Sequence, residues 1–430
     1  MMASVPVPVP TQPDDDELQL IRRSGVALRM GRLSLGAGTG SYRVKASMAR
    51  VAHALGVERH QAHVTLTEIT TTSHRGRSFR TEVTEVRRVG IDAHRLTLLE
   101  RLAGDLDAGR RPATVEDVTR ALDEIEARGP LWGALLNALW AGLACAAFSF
   151  LNRGGPVEMA AVFVAAALGQ GARRAMLHRG LNQFGVTMVA AALACLTYLA
   201  FVTALHGSGA TATRHEAGYV SAVLFLVPGF PLVTGALDLA KLDFSAGVAR
   251  LTYALTLLMS AALAVWGVSA LVGLSPDLAP DTRLAPGVLV ALRCLFSFLG
   301  VLGFALLFNS TLPMAAAAAA VAVVPNVLRL GLVDAGVLPQ AAAAGAALLV
   351  GLLAALVAPR LRVPRITVSV PAVVIMVPGV TAYRAVFALS EGDTTQALAS
   401  GVQAVLVVAA LAIGLAVARM LTDREWAFEH

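Results

Sequence analysis

Leu226-Val227-Pro228-Gly229-Phe230-Pro231 and Met376-Val377-Pro378-Gly379-Val380-Thr381 share a Val-Pro-Gly centre and lie 150 positions apart. Each sits inside a long apolar stretch. Each is followed by a helix-compatible run and then a small acidic turn, Leu242-Asp243-Phe244-Ser245 in one case and Glu391-Gly392-Asp393-Thr394 in the other. Proline removes a backbone donor and clashes with the preceding turn, and glycine loosens the chain beside it. In lipid, a helix broken this way persists only where protein or an aqueous cavity satisfies the freed backbone groups. The two breaks are therefore expected to face a central cavity near mid-membrane. A plain proline kink is the competing reading at either site.

Around these motifs the chain from Leu131 onward divides into ten apolar segments. They cover residues 132–151, 157–171, 183–206, 217–239 and 247–273, then 286–309, 313–328, 339–357, 366–389 and 398–419. A spanning helix needs about 20 apolar residues. The second and seventh segments are short, each in position two of a set of five. The Val-Pro-Gly motifs fall in the fourth and ninth, each in position four. Two signals in one register predict two repeats of five. Five is odd, so a homologous second repeat enters the bilayer with opposite orientation. Inverted repeats of this kind build many secondary transporters, and their interrupted helices mark the substrate site.

Charge divides the chain at about residue 130. Residues 1–130 hold 36 of the 64 charged side chains, and the remaining 300 residues hold 28. The apolar fraction is 56%, above the roughly 45–50% of soluble proteins. The expected class is mainly α: a polytopic membrane protein of about ten helices in two inverted five-helix repeats, with an α+β cytosolic N-terminal domain. The expected boundaries are a disordered leader 1–16, the soluble domain 17–129, and membrane repeats 130–275 and 284–421. The leader has an acidic run and no apolar core, unlike a secretory signal.

Loop charge sets the expected orientation. With the N-terminus inside, cytoplasmic loops carry Arg173, Arg174, Arg179, Lys241, Arg250, Arg360, Arg362, Arg365, Arg419 and Arg424. The other side carries Arg153, Arg214, Arg283, Arg293, Arg329 and Arg384. The excess favours cytoplasmic N- and C-termini in an inner membrane. The net charge of +6 reads as this asymmetry and not as nucleic-acid binding.

Within the soluble domain, helices are expected at 17–35, with Leu18, Ile21, Gly25, Leu28 and Leu35 on one face, and at 44–55, with Val44, Met48, Val51 and Leu55 on one stripe. Strands are expected at 61–71 and 79–89, and further helices at 92–109 and 114–127, the last started by Thr114 with Asp117. His60 and His63, with His53 and His74 nearby, are the spacing that hints at metal. They open a strand, so surface histidines are the better reading. Gly36, Gly38 and Gly40 follow a helix and lack the lysine of a phosphate loop. Cys145, Cys195 and Cys294 lie in apolar runs and read as small hydrophobes. No cofactor is expected.

Amides freed at a half-helix start can hold a carboxylate, and freed carbonyls an ammonium; a zwitterionic amino acid needs both. The candidate substrate residues are Pro228, Gly229, Thr234, Asp238, Pro378, Gly379, Thr381, Tyr383 and Arg384. Asp238, Glu158 or Glu216 is a candidate proton carrier. Asn309 and Ser310 are candidates to line the path, and Asn137, Asn182 and Asn326 to bond between helices. No nucleotide-binding loop is present, so transport is expected to run on an ion or substrate gradient. Two other classes compete: a membrane-embedded enzyme, for which no catalytic cluster stands out, and an anchored sensor working through residues 17–129, for which ten segments are more than an anchor requires.

Met30-Gly31-Arg32-Leu33-Ser34-Leu35-Gly36-Ala37-Gly38, Tyr42-Arg43-Val44 and Ala54-Leu55-Gly56-Val57 resemble the N-terminal domain of bacterial threonine/serine exporters. The likeness continues through Leu226–Leu232, Asp238 and the Ser245–Arg250 stretch. Pro364-Arg365-Ile366, Val377-Pro378-Gly379-Val380 and Ala382-Tyr383-Arg384 resemble the family's C-terminal half, fused here in one chain. Lys45 departs from the acidic residue common at its position. The resemblance covers about residues 20–420. It implies a ten-helix exporter of threonine and serine, driven by the proton motive force. In some relatives the halves are separate polypeptides and the cargo is a dicarboxylate such as succinate. The implied partners are that small-molecule substrate, protons and the lipid bilayer, with self-association left open.

Overall fold

The computed structural model describes residues 15–86, 90–208, 216–272 and 284–427. Most of the expected leader, Arg214, Arg283 and Val89 lie outside them.

The N-terminal elements are α1 (Asp15–Gly36), α2 (Ser41–Ala54), β1 (Arg59–Val64), β2 (Glu68–Arg75), β3 (Ser78–Glu85), α3 (Ala93–Asp107) and α4 (Val115–Ala127). The strands form one antiparallel sheet in the order β1-β2-β3. The expected strand 61–71 is in fact two. Thr65 makes the turn: its hydroxyl accepts the Glu68 N–H at 3.1 Å, and its N–H donates to the Glu68 carbonyl at 2.9 Å. The β-branched composition of the stretch conceals this local side-chain turn.

One hydrophobic core joins α1, α2, α3 and α4 through Leu20, Val51, Leu99 and Leu122. A second lies under the sheet around Leu35, Val44, Met48 and Ile69. The α2 stripe is buried as its spacing requires. On α1 the expected Leu35 is buried, but the rest of the buried face is Leu20, Ala27 and Met30, and Leu18 is exposed. Thr114 caps α4 as expected, accepting the Asp117 N–H at 3.2 Å. Arg29 ties α1 to α4 through Asp123 at 2.6 Å and Glu126 at 2.5 Å. The hydrogen bond from Arg29 holds the Glu126 carboxyl below its ordinary range, against partial burial.

The remaining elements are α5 (Ala134–Leu151), α6 (Pro156–His178), α7 (Gln183–Gly207), a 3-10 helix (Glu216–Leu226), α8 (Gly229–Ala240) and α9 (Phe244–Val272). After them come α10 (Pro286–Leu307), α11 (Leu312–Asp334), α12 (Pro339–Leu361), α13 (Arg365–Val374), α14 (Gly379–Ser390), α15 (Thr394–Thr422) and α16 (Arg424–Ala427). Among the described residues, seven helices are long and apolar enough to cross a membrane. The count is nine if each of two bent pairs is one span. The bent pairs are the 3-10 helix with α8, at 58°, and α13 with α14, at 47°.

Helix α6 is absent from that set because Glu158, Gln170 and Arg173 lower its hydropathy. It is nonetheless a continuous 23-residue helix, as is α11. The second and seventh segments are therefore not short. Their apolar windows end before the helices do, which continue through polar last turns.

Lengths and turns recur between the two halves. α8 and α14 have 12 residues each, and α9 and α15 have 29 each. Left-handed residues stand at matching turns: Arg153 and Asn309, Gly180 and Gly336, Leu242 and Gly392. Packing recurs as well. α5 lies against α10 between the halves, α8 packs on α15, and α14 packs on α9.

Candidate functional site

Pro228 and Pro378 adopt the same backbone, φ −80° with ψ 57° and φ −81° with ψ 58°. In each case the following glycine N–H donates back to the valine carbonyl before the proline, at 2.8 Å from Gly229 to Val227 and 2.9 Å from Gly379 to Val377. This is an inverse γ-turn, which a fixed proline φ favours. It lies between the end of one helix and the start of the next, which are separated by two residues in the first half and four in the second.

The two breaks meet. A Cβ on Gly229 would stand 3.1 Å from Val374, and a Cβ on Gly379 would stand 2.8 Å from Leu224 and 3.1 Å from Val227. Val374 precedes Gly379 by the same five positions as Leu224 precedes Gly229. The contact is thus reciprocal: each glycine makes room for the apolar turn ahead of the other break. The N-termini of α8 and α14, with their positive dipole ends, converge there. The space between them is filled by these side chains.

Tyr383, one turn into α14, is buried and joins a hydroxyl cluster with Tyr219 at 3.2 Å and Ser269 at 3.1 Å. The Tyr219 and Tyr383 rings pack edge to face. The cluster links the 3-10 helix, α9 and α14. Thr381 and Arg384 are half-buried on α14. Thr234 is buried but bonds its own helix, its hydroxyl donating to the Phe230 carbonyl at 2.9 Å.

Asp238 lies at the other end of α8 from the break, about 13 Å along the axis at 1.5 Å per residue. It is 0% exposed and forms an ion pair with Arg250 of α9, 1% exposed, at 3.0 Å. Its other oxygen accepts the Ser41 N–H at 2.9 Å, and Arg250 donates to the Thr39 carbonyl at 2.7 Å. The partners are Thr39 of the α1–α2 loop and Ser41, the first residue of α2. Asp238 therefore holds the N-terminal domain, at the opposite end of α8 from the breaks. Beside it, Asp243 accepts from the Ser41 hydroxyl at 3.0 Å and pairs with Lys45, which gives the departing lysine a structural role.

Further contacts seat the same domain on the same end of the helices. Ala93 N–H donates to the Phe308 carbonyl at 3.0 Å, and Asn309 bonds both Asp92 and the Leu131 N–H at 2.8 Å. Trp132 donates to the Ser310 carbonyl at 3.0 Å, and Arg101 to the Arg362 carbonyl at 3.0 Å. Tyr42 of α2 accepts from Arg419 of α15 at 2.8 Å and meets Trp426 of α16 edge to face. Asn309, expected along the path, thus serves this docking, whereas Ser310 receives Trp132 at the start of the membrane half through its carbonyl. A cleft of about 760 Å³ between α3 and the α12–α13 turn is lined by Glu100, Arg101, Arg110 and Arg362.

Asn137 and Asn326 bond between helices, to Gln170 at 2.8 Å and Ser297 at 2.9 Å. Asn182 caps α7 instead. His60 and His63 point to opposite faces of β1, opposite Ser73 and Thr70. His60 Nδ1 is 2.9 Å from the Ser73 hydroxyl. Burial, with nearby His53, pushes His60 down to about 4, against the attraction of Glu82. Among the described residues no group of three or more His, Cys, Asp or Glu is arranged to hold a metal.

A family model for threonine/serine exporters, ThrE, matches residues 25–272, which include the first break and its docked end. The chain belongs to the threonine/serine exporter family. A second model, described as "Threonine/Serine exporter, ThrE", matches residues 293–421. Both halves of the exporter are thus fused in one multi-pass membrane transport protein. The chain is also similar to the "Probable succinate transporter subunit YjjP" of Klebsiella aerogenes, 26% identical over 60% of this chain and 98% of that one. The protein of the same description from Escherichia coli K12 is 27% identical over 56% of this chain and 94% of its own. No solved structure matches.

Two features of this exporter escaped the sequence reading. One is the pairing of Asp238 with Arg250. The other is Tyr42, quoted within the resemblance but given no role there. The Asp and Arg are both visible as charges in apolar surroundings, a signal that a partner must exist.

Proposed function

We propose that the protein is a secondary exporter of small polar amino acids, threonine and serine, driven by protons moving inward. The observation that carries this reading is the reciprocal contact of the two Pro-Gly breaks. Two half-helix N-termini converge there, and their amides suit a substrate carboxylate. The site comprises Pro228, Gly229, Pro378, Gly379, Thr381, Tyr383 and Arg384. Thr234 backs α8, and Asp238 acts at one remove, by fixing the far end of α8.

Counting α6 and each bent pair as one span gives ten spans in two five-helix repeats. With ten, the repeats are oppositely inserted, residues 130–275 against 284–421. The docking contacts agree with this count. The residues of the membrane half that touch the N-terminal domain are Asp243, Asn309, Arg362 and Arg419. In a ten-span alternation all of these fall on one side. Loop arginines make that side cytoplasmic, with residues 17–129 and both termini there.

A second reading, a dicarboxylate exporter, is favoured by the description of the two relatives as succinate transporter subunits. Counter-flow in proteoliposomes with labelled threonine, serine and succinate, with and without an imposed pH gradient, separates the two. Replacing Pro228-Gly229 with Leu-Ala is expected to abolish counter-flow while helix content is retained. Full transport by that variant would remove the breaks from the mechanism.

A further inference from the structure

The two halves differ at positions that correspond. The hydroxyl cluster Tyr219, Ser269 and Tyr383 closes one side of the break contact. Shifting each residue by 150 positions leads to Ser369, Arg419 and Val233. Ser369 and Arg419 line a small cavity of about 30 Å³, with Leu237, Ile366, Leu415 and Tyr42. Val233, at the position corresponding to Tyr383, is a buried residue with no hydroxyl. Tyr42, from the soluble domain, reaches in instead.

The Tyr42 hydroxyl oxygen accepts two guanidinium hydrogen bonds, from Arg419 at 2.8 Å and from Arg43 Nε at 3.0 Å. Both cations also lie near its ring, at 5.5 and 5.6 Å from the centroid. A neutral phenol oxygen thus occupies a position suited to an anionic oxygen. The local acids take only part of this charge. Arg419 meets Asp423 at 3.4 Å, and Arg43 meets Glu100 at 3.7 Å. Arg419 Nε is buried with no hydrogen-bond partner among the described residues. Arg365 at the rim bonds Thr422 at 2.9 Å. The cavity has room for about two waters at 10–15 Å³ each.

We infer that this cavity is a carboxylate-binding entry subsite and that Tyr42 is its lid. The inference rests on the exporter reading for its side of the membrane. A cytosolic carboxylate displaces the Tyr42 hydroxyl from Arg419, bonds the guanidinium including its unpaired Nε–H, and lifts the lid edge away from Trp426. The soluble domain thereby gates loading. Amino acids and dicarboxylates share the group recognised, so the subsite is common to both cargo readings.

The test uses the full chain in lipid nanodiscs and calorimetric titration with threonine, succinate, and threoninol, which lacks the carboxylate. Threonine or succinate is expected to bind the wild type and threoninol to fail. Y42F keeps the ring and loses the competing oxygen; loss of one such hydrogen bond, about 1 kcal/mol, corresponds to about fivefold tighter binding. R419Q is expected to lose binding and R419K to retain part of it. Equal affinities in wild type, Y42F and R419Q would overturn the subsite, as would absence of carboxylate binding by every form. Efflux from loaded vesicles is measured in parallel. Arg419-dependent binding without efflux would defeat the exporter reading and keep the subsite. Efflux with an unchanged KM in R419Q would do the reverse.

Discussion

At the end of α8, Asp238 pairs with Arg250 in full burial, whereas the corresponding places in the second half hold Ala388 and Ser400. The turn aspartates correspond too, and their roles diverge. Asp393 caps α15, accepting the Gln396 N–H at 2.9 Å. Asp243 is turned to Ser41 and Lys45 of the soluble domain. The backbone device is therefore the same in both halves, and the polar residues record what each end must hold. The first half's end is docked to another domain. The second half's end, Glu391–Asp393, is exposed.

Removing one partner of the buried pair breaks this contrast most severely. Asp238→Ala leaves Arg250 buried and uncompensated, so stability is expected to fall by about 3–5 kcal/mol, read as the unfolding midpoint in detergent. Ala388→Ser, at the matching place, is expected to change little; an equal loss there would mean that the pair does not mark the docked end. Next is Gly40→Ala. The new Cβ would stand 2.8 Å from Asp238 Oδ1, and overpacking is expected to cost about 1–3 kcal/mol. Protease cleavage of the soluble domain should quicken, while the α14–α15 turn keeps its wild-type cleavage rate. Tyr383→Phe sharpens the comparison from the other side. It removes the hydroxyl joining Tyr219 and Ser269, for an expected loss of about 1 kcal/mol; no change in the thermal midpoint would show that the cluster does not stitch the helices.

A separate effect is acidic and belongs to the N-terminal sheet. His60 titrates near 4 when folded and about 6.5 when unfolded. Its neutral burial therefore contributes stability that is present above about pH 6.5 and is lost as pH falls toward 4. The midpoint of wild type should decline more steeply than that of His60→Gln across this window. Parallel curves would assign the acid sensitivity to other groups.

The Pro-Gly breaks were legible because proline and glycine act locally and need no partner to be understood. The α2 stripe and the Thr114 cap were legible for the same reason, since their partners lie within one or two helical turns. The third strand was hidden because Thr65 makes its turn with a side chain that also suits a strand. The length of α6 was hidden because hydropathy reports the solvent a residue prefers and not where the backbone stops being helical. The docking set was least visible. Ser41 and Asp238, or Tyr42 and Arg419, are brought together only by tertiary folding, and no spacing announces them. Family membership was legible from short motifs, since these mark the backbone devices that recur in both halves.

The crossed glycine contact has a consequence for assembly. Each half offers a notch that only the other half's apolar turn fills, and α5 lies along α10 beside it. Recognition between the halves is thus carried by their surfaces and owes little to the peptide linking them. Severed within 273–283 and co-expressed, the two fragments should find one another and rebuild a working carrier. A bulky residue at Gly379 in one fragment should be rescued by a trimmed Leu224 in the other.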